Sequence, residues 1–146
     1  MMKSVLSFAF VSAVAANVVE LTPSNWKSVV TDSGKGTFVK FYAPWCGHCK
    51  ALAPTWEKLG KKFKNSDAVT IAEVDCTAGG EPLCGQNGVK GYPTLKYWKA
   101  GKTSGIDYQQ GREFNDLKTF VEENSNFSQR NFSGTASKSE FVSSQS

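Results

Sequence analysis

The sequence has few cysteines and histidines, the residues that most often bind metal ions, and few long apolar segments that could cross a membrane. Its 146 residues include four cysteines and one histidine. After residue 16, no segment is long and apolar enough to cross a bilayer, which excludes a membrane span in the rest of the chain. No internal repeat is visible, which excludes a repeat array. The remaining length is sufficient for one domain with a hydrophobic core.

The charge balance is only mildly basic. The formal net charge is +4 at pH 7, and the densest positive cluster holds Lys58, Lys61, Lys62 and Lys64. Aromatic residues do not alternate with these lysines as they do on nucleic-acid surfaces. The cluster therefore predicts a solvated helix face, and we expect no nucleic-acid partner.

The two ends of the chain differ from its middle. Lys3, an apolar stretch over residues 5–11 and an Ala-X-Ala site predict a secretory signal peptide over residues 1–16. The mature chain would then enter an oxidising compartment, where disulfides persist. Residues 143–146 do not form a Lys-Asp-Glu-Leu-like retention signal. We expect the secretory pathway, with the endoplasmic reticulum lumen and secretion both open.

The last residues are rich in serine. Residues 125–146 hold eight serines and no convincing periodicity, which predicts a disordered tail. Asn126 and Asn131 begin glycosylation acceptor sequences within it. The folded domain is therefore expected over residues 17–124.

The middle of the chain predicts alternating strands and helices. Apolar and β-branched runs predict strands over residues 18–21, 37–42, 69–75, 94–98 and 106–109. Three helices are expected. The first begins at Thr22, the second begins at Cys46 and is kinked at Pro54, and the third runs from Phe114 to near Asn124. The strand–helix–strand order of the first half predicts a parallel βαβ unit, and the last two strands predict an antiparallel pair.

One short motif carries chemistry. Residues 43–50 read Ala-Pro-Trp-Cys-Gly-His-Cys-Lys and lie where a strand should end and a helix begin. Backbone N–H groups at a helix start carry partial positive charge, which stabilises the thiolate of Cys46, the form that attacks disulfides. Cys49 follows one helical turn later and can close a ring with Cys46. The motif therefore predicts thiol–disulfide exchange.

Two other uses of such a pair are a zinc site and an inert structural disulfide. A zinc knuckle needs four ligands in two close pairs, whereas seven residues separate Cys76 from Cys84. So small a disulfide ring as Cys-X-X-Cys is strained and reducible, which suits exchange better than structural cross-linking. Exchange is the favoured interpretation, with no metal and no cofactor.

With this motif and element order, the chain resembles thioredoxin-fold proteins, and more narrowly a catalytic domain of protein disulfide isomerase. The resemblance spans about residues 18–124 and is carried by residues 41–50, 74–77 and 89–95 and by Tyr108 with Gly111-Arg112. It implies an α/β thioredoxin fold, in which helices flank a central mixed sheet in a single domain.

The resemblance implies roles for the motif. Cys46 matches the cysteine that forms a mixed disulfide with the substrate, and Cys49 matches the resolving cysteine that releases it. Gly47 and His48 are the intervening residues typical of isomerases, where thioredoxins carry proline in place of His48. The His48 imidazole is expected to stabilise a thiolate, and the alternative is an exposed loop histidine.

Other residues match family positions outside the motif. Pro93 matches a cis-proline packed against the active disulfide, and Tyr92 would offer backbone hydrogen bonds to an extended substrate. Arg112 matches an arginine thought to swing toward the resolving cysteine, and its alternative is an ordinary surface arginine. Trp45 would give substrates an apolar surface unless it packs into the core.

One position departs from the family pattern. Many relatives carry a glutamate beneath the active site, on the strand where this chain has Lys40. Side-chain alternation places Lys40 on the same face as Phe38 and Tyr42. Lys40 is a candidate proton relay for Cys49, and water alone is the alternative.

The second cysteine pair is interpreted as a structural disulfide. Cys76 and Cys84 bracket residues 77–83, which read as a flexible loop, and relatives with a similar pair support the pairing.

These residues predict an oxidoreductase or isomerase that acts on the cysteines of client proteins. A thiol oxidant or reductant of unknown identity would be its second partner. A secreted thioredoxin-like reductase stays open, as does a client-binding chaperone module in which the thiols are incidental.

Overall fold

The computed structural model describes residues 17–125, so the expected signal peptide, Asn126, Asn131 and the tail beyond them lie outside the described residues. The described residues form a five-stranded sheet with the strand order β1-β3-β2-β4-β5. The strands are β1 (Val19–Glu20), β2 (Gly36–Tyr42), β3 (Val69–Asp75), β4 (Thr94–Trp98) and β5 (Ile106–Tyr108). The helices are α1 (Gly47–Lys62), α2 (Glu81–Gln86) and α3 (Phe114–Asn124). None of these helices is long and apolar enough to cross a membrane.

The sheet is mixed, as expected. Strands β1 and β2 each pair with β3 in parallel, whereas β4 pairs antiparallel with β2 and with β5. The parallel βαβ unit and the antiparallel β4–β5 pair are therefore confirmed. Tyr42 lies opposite Asp75, and Phe41 lies opposite Thr94. The ends of β2 and β3 and the start of β4 thus meet at one edge, where α1 begins.

Strand β2 is buried along almost its whole length because helices cover both faces of the sheet. On one face Phe38 packs in a cluster with residues of α1 and α3, including Trp56 and Leu117. On the other face Val39 and Phe41 pack with α2 and the segment after β1. The Trp56 indole N–H donates to the carbonyl of Ala72 at 3.0 Å, so its buried polar group is satisfied.

Thr22 caps the first helical segment as predicted, but the helix that follows is irregular. Residues 23–25 form a turn, and a π-helical segment follows over Lys27–Thr31. The Asn25 side chain accepts from the backbone N–H of Thr22 at 2.8 Å and donates to the carbonyl of Glu20 at 3.0 Å. The Thr22 carbonyl accepts the backbone N–H of Trp26 at 3.0 Å, and the Thr22 hydroxyl accepts that of Ser24 at 3.3 Å. These bonds cap the segment at Thr22, and the sequence did not predict the π-helical form that follows. Elsewhere α1 starts where expected and continues through Pro54 to Lys62.

The expected loop over residues 77–83 contains the start of a helix that the sequence analysis missed. Helix α2 has proline in its first turn and buries Leu83 and Cys84. Gly80 lets it approach β3, because a Cβ there would lie 2.5 Å from the Asp75 carbonyl oxygen. At the other end of the domain, Ser125 is buried and donates its N–H to Val121. Ser125 therefore closes α3, which ends at Asn124 as predicted.

Candidate active site

The motif cysteines lie at the start of α1, at the sheet edge defined above. Cys46 is the N-cap, with extended backbone angles of φ −78° and ψ 126°. Its Sγ accepts the backbone N–H of Cys49 at 3.2 Å, which satisfies one of the free donors of the first helical turn. Both cysteines are free thiols. The prediction that the helix begins at Cys46 is confirmed.

The environment of Cys46 favours its thiolate. A hydrogen bond from the Cys49 thiol lowers the pKa of Cys46, and the backbone N–H groups of Cys49 and His48 and the charge of Arg112 lower it further. These effects outweigh burial, which acts in the opposite direction. Cys46 Sγ also lies 3.6 Å from the carbonyl oxygen of Tyr92. The more reactive thiol therefore faces the segment expected to align a substrate.

The environment of Cys49 has the opposite effect. Its side chain is 3% exposed, and burial raises the pKa of Cys49 to about 11, assisted by its hydrogen bond to Cys46. A hydrogen bond from the Ala43 backbone and the charge of Lys40 oppose this rise. Near neutral pH, Cys49 is therefore protonated, and Cys46 is the more readily ionised of the two thiols.

The residues between the two cysteines are exposed. His48 acts on Cys46 through its backbone N–H, a group that any residue except proline provides. A Cβ added to Gly47 would meet no atom within 4 Å, so no steric reason for glycine exists there. Residue 48 therefore lowers the pKa of Cys46 at least partly through its backbone, whereas the sequence predicted an effect of the imidazole.

The cis-proline segment faces the thiols. The Tyr92–Pro93 peptide bond is cis, as the resemblance implied, and Pro93 is buried. Trp45 is 67% exposed and meets the Tyr92 ring edge-on, with ring centroids 5.8 Å apart. Trp45 is therefore a surface residue rather than a core residue. The exposed Trp45 ring and the partly buried Tyr92 ring form an aromatic pair beside Cys46.

Arg112 lies in the segment between β5 and α3. It lines a groove of about 290 Å³ together with His48 and Glu113. The Tyr108 hydroxyl donates to the carbonyl of Gly111, which fixes the chain just before Arg112. Although the resemblance implied that Arg112 assists Cys49, its charge here lowers the pKa of Cys46.

Behind Cys49 lies an ion pair of which the sequence analysis identified only one member. Lys40 and Glu73 are register partners on β2 and β3, and their Nζ and Oε1 atoms are 3.2 Å apart. The Lys40 side chain is 5% exposed and that of Glu73 is 24% exposed. Both line a cavity of about 210 Å³ that also reaches Cys49. The available signal for Glu73 was a carboxylate within the β3 run, opposite in sign to the single lysine of β2.

The second cysteine pair has a different environment. Cys76 and Cys84 form a disulfide with an S–S distance of 1.97 Å and a Cα–Cα distance of 5.8 Å, the pairing expected from the resemblance. Both pack in the apolar cluster of Val74, Leu83 and Trp98. Because both sulfurs are bonded, this pair has no thiolate to offer a zinc ion.

Comparisons with known proteins agree with this arrangement. A family model described as Thioredoxin matches residues 17–123. The Protein disulfide-isomerase-like protein EhSep2 of Emiliania huxleyi is 46% identical over 121 residues, which cover 83% of this chain and 54% of that protein. Protein disulfide-isomerase 1 of Dictyostelium discoideum is 47% identical over 112 residues, which cover 76% of this chain and 30% of that protein.

Solved structures lead to the same group. The first thioredoxin domain of mouse Protein disulfide-isomerase A4 matches with a TM-score of 0.67 and 34% identity, covering 76% of this chain and 77% of that chain. The matched part of the chain covers about half of the length of the first curated relative and less than a third of the second. It covers most of the single mouse domain. On these matches, the chain belongs to the thioredoxin family and is homologous to the catalytic domains of protein disulfide-isomerases.

Proposed function

We propose that this chain is a thiol–disulfide oxidoreductase that oxidises or isomerises the cysteines of client proteins in the secretory pathway. The observation that carries the proposal is the contrast between two thiols one helical turn apart. The pKa of Cys46 is lowered at the start of α1, and the pKa of Cys49 is raised behind it. An attacking and a resolving cysteine require this difference.

Oxidation of a client begins from the Cys46–Cys49 disulfide. A client thiolate attacks Cys46 Sγ, the Cys46–Cys49 bond breaks, and Cys49 takes up a proton. A second client thiolate then attacks the client sulfur of the mixed disulfide and releases Cys46 as a thiolate. The client gains a disulfide, the pair becomes a dithiol, and a thiol oxidant must restore it.

Isomerisation begins from the dithiol. The Cys46 thiolate attacks a client disulfide and forms a mixed disulfide, while the other client sulfur leaves as a thiolate. That thiolate can attack elsewhere in the client until Cys46 is released. If it does not, Cys49 loses its proton, attacks Cys46 Sγ and frees the reduced client.

Release by Cys49 requires a route for its proton. Lys40 is paired with Glu73, and its charge stabilises the Cys49 thiolate. The Glu73 carboxylate and water in the cavity beside it can accept the proton. This interpretation modifies the role expected for Lys40 and adds Glu73 as its partner.

Client contact is assigned to the aromatic pair and the cis-proline segment. Trp45 and Tyr92 offer an apolar surface beside Cys46, and the Tyr92 carbonyl can accept a backbone N–H from an extended client. The disulfide of Cys76 and Cys84 supports an oxidising compartment. A reporter fusion assayed in medium and lysate would test secretion against retention in the lumen.

Two assays test the function. Reduction of insulin measures exchange, and reactivation of scrambled ribonuclease measures isomerisation. We expect activity in both, with Cys46→Ser inactive. Activity with insulin alone would identify a reductase. Activity in neither would contradict the proposal and leave a client-binding module.

A further inference from the structure

A polar cleft opens beside the cis-proline segment. It has a volume of about 400 Å³, within the range of about 300–1,000 Å³ that is typical of ligand sites. Its walls come from the segment through Pro93 and from residues 107–112. Pro93 directly follows Tyr92, whose carbonyl oxygen lies 3.6 Å from Cys46 Sγ. The cleft therefore begins one residue from the point of contact with the reactive sulfur.

The charge in this cleft is unbalanced. Three cations line it, Lys90, Lys96 and Arg112, together with one carboxylate, Asp107. Lys96 is neutralised by Asp107, with Nζ and Oδ1 2.8 Å apart. Within residues 17–125, no carboxylate lies within ion-pair distance of Lys90 or Arg112, and both side chains are exposed. Two cations are thus available to a ligand.

The position of the cleft points to a client as that ligand. An extended chain advances about 3.3 Å per residue, so residues within about three positions of a client cysteine bonded to Cys46 can reach it. A guanidinium binds carboxylates through two parallel hydrogen bonds, and an ammonium adds a point charge. Gln109 and Gln110 line the same cleft and offer further polar contacts.

We propose that this cleft is a client subsite that selects acidic side chains near the reacting cysteine, with Lys90 and Arg112 as the recognition residues. This inference rests on the proposed function, because it specifies which clients react fastest. Electrostatic selection of this kind is weakened by salt.

Matched peptides test the subsite. Three disulfide peptides would carry Asp-Asp, Gln-Gln or Lys-Lys beside one cysteine, and kcat/KM for their reduction would be measured at low and high salt. We expect the acidic peptide to react about three- to tenfold faster than the basic one at low salt, because each exposed ion pair contributes a factor of a few. Lys90→Glu is expected to abolish or reverse this ratio.

Lys102→Glu is the matched control. Lys102 is exposed and follows the end of β4 that is remote from α1, so this variant changes net charge equally but leaves the cleft intact. It should retain the acidic preference. Equal rates for the three peptides, or an equal loss of preference in Lys90→Glu and Lys102→Glu, would overturn the subsite.

Two further readouts separate the subsite from the function. Failure to reduce the neutral reagent hydroxyethyl disulfide would refute the proposed function. The cleft would still be tested by titrating ¹⁵N-labelled protein with a serine analogue of the acidic peptide. We expect the amide resonances of Lys90, Gly91 and Arg112 to shift, and unshifted resonances would overturn the subsite whatever the activity.

Discussion

The two cysteine pairs of this chain experience opposite environments, and the difference explains what each can do. Cys46 and Cys49 are free thiols where α1 begins, close to backbone N–H groups and two cations. Cys76 and Cys84 are joined across the connection from β3 to α2, inside an apolar cluster. Reactivity therefore follows from position relative to a helix start and to charge, rather than from the presence of a thiol.

The largest expected difference between the pairs is in turnover. Cys46→Ser should lose insulin reduction to the detection limit because the nucleophile is gone. Cys49→Ser should accumulate mixed disulfides, visible by non-reducing electrophoresis, because release then lacks the resolving thiol. The double variant Cys76→Ala, Cys84→Ala should keep turnover at a temperature where it is folded. Loss of turnover in that variant under those conditions would contradict the division of roles.

The second difference is in stability. Removing the Cys76–Cys84 disulfide should lower the free energy of unfolding by about 2–3 kcal/mol in the chain-entropy model for a loop of this length. Urea unfolding of the double variant and the parent, both with Cys46 and Cys49 reduced, measures this. A double variant as stable as the parent would show that the disulfide does not constrain the unfolded chain.

The sequence was sufficient for the fold and for the position of the first cysteine pair at the start of α1. Strand periodicity located β2, β3 and β4 to within one residue, and the motif located the start of α1. Prediction from the sequence failed where tertiary contacts override the local preference of the chain for a loop or a regular helix. The π-helical form of Lys27–Thr31 has no signature in the sequence, and burial of Leu83 with the disulfide fixes α2. Glu73 was missed because it becomes a site residue only through the register that pairs it with Lys40.

The third prediction concerns the ion pair behind Cys49. Lys40→Met removes the charge that favours the Cys49 thiolate, so the pKa of Cys49 should rise further. Each unit of increase lowers the thiolate fraction about tenfold, and release of a mixed disulfide should slow by a similar factor near neutral pH. Stopped-flow release of a fluorescent client peptide, recorded from pH 6 to pH 10, measures the profile.

The control for this variant keeps the lysine. Glu73→Gln retains Lys40 but removes the carboxylate, so it should slow release while the attack rate of Cys46 stays near that of the parent. Equal release rates in the parent and both variants across the pH range would exclude the ion pair from the reaction.

The smallest expected effect comes from residue 48. His48→Ala keeps the backbone N–H that acts on Cys46, whereas His48→Pro removes it. A higher Cys46 pKa destabilises the reduced form, so the proline variant should be the better reductant, by roughly 30 mV for each unit. Equilibration with glutathione gives both potentials. If alanine shifts the potential as much as proline does, the imidazole is responsible and the backbone contribution is minor.

The asymmetry of the two active-site thiols is tested most directly by their alkylation rates as a function of pH. The reduced protein would be pulsed with iodoacetamide between pH 4 and pH 11, and each cysteine quantified by peptide mapping. We expect Cys46 labelling to follow a pKa below the ordinary cysteine value of about 8.5, and Cys49 labelling to stay low until the pH approaches 11. Labelling of Cys49 at or below the pH at which Cys46 reacts would contradict the assignment of nucleophile and resolving thiol.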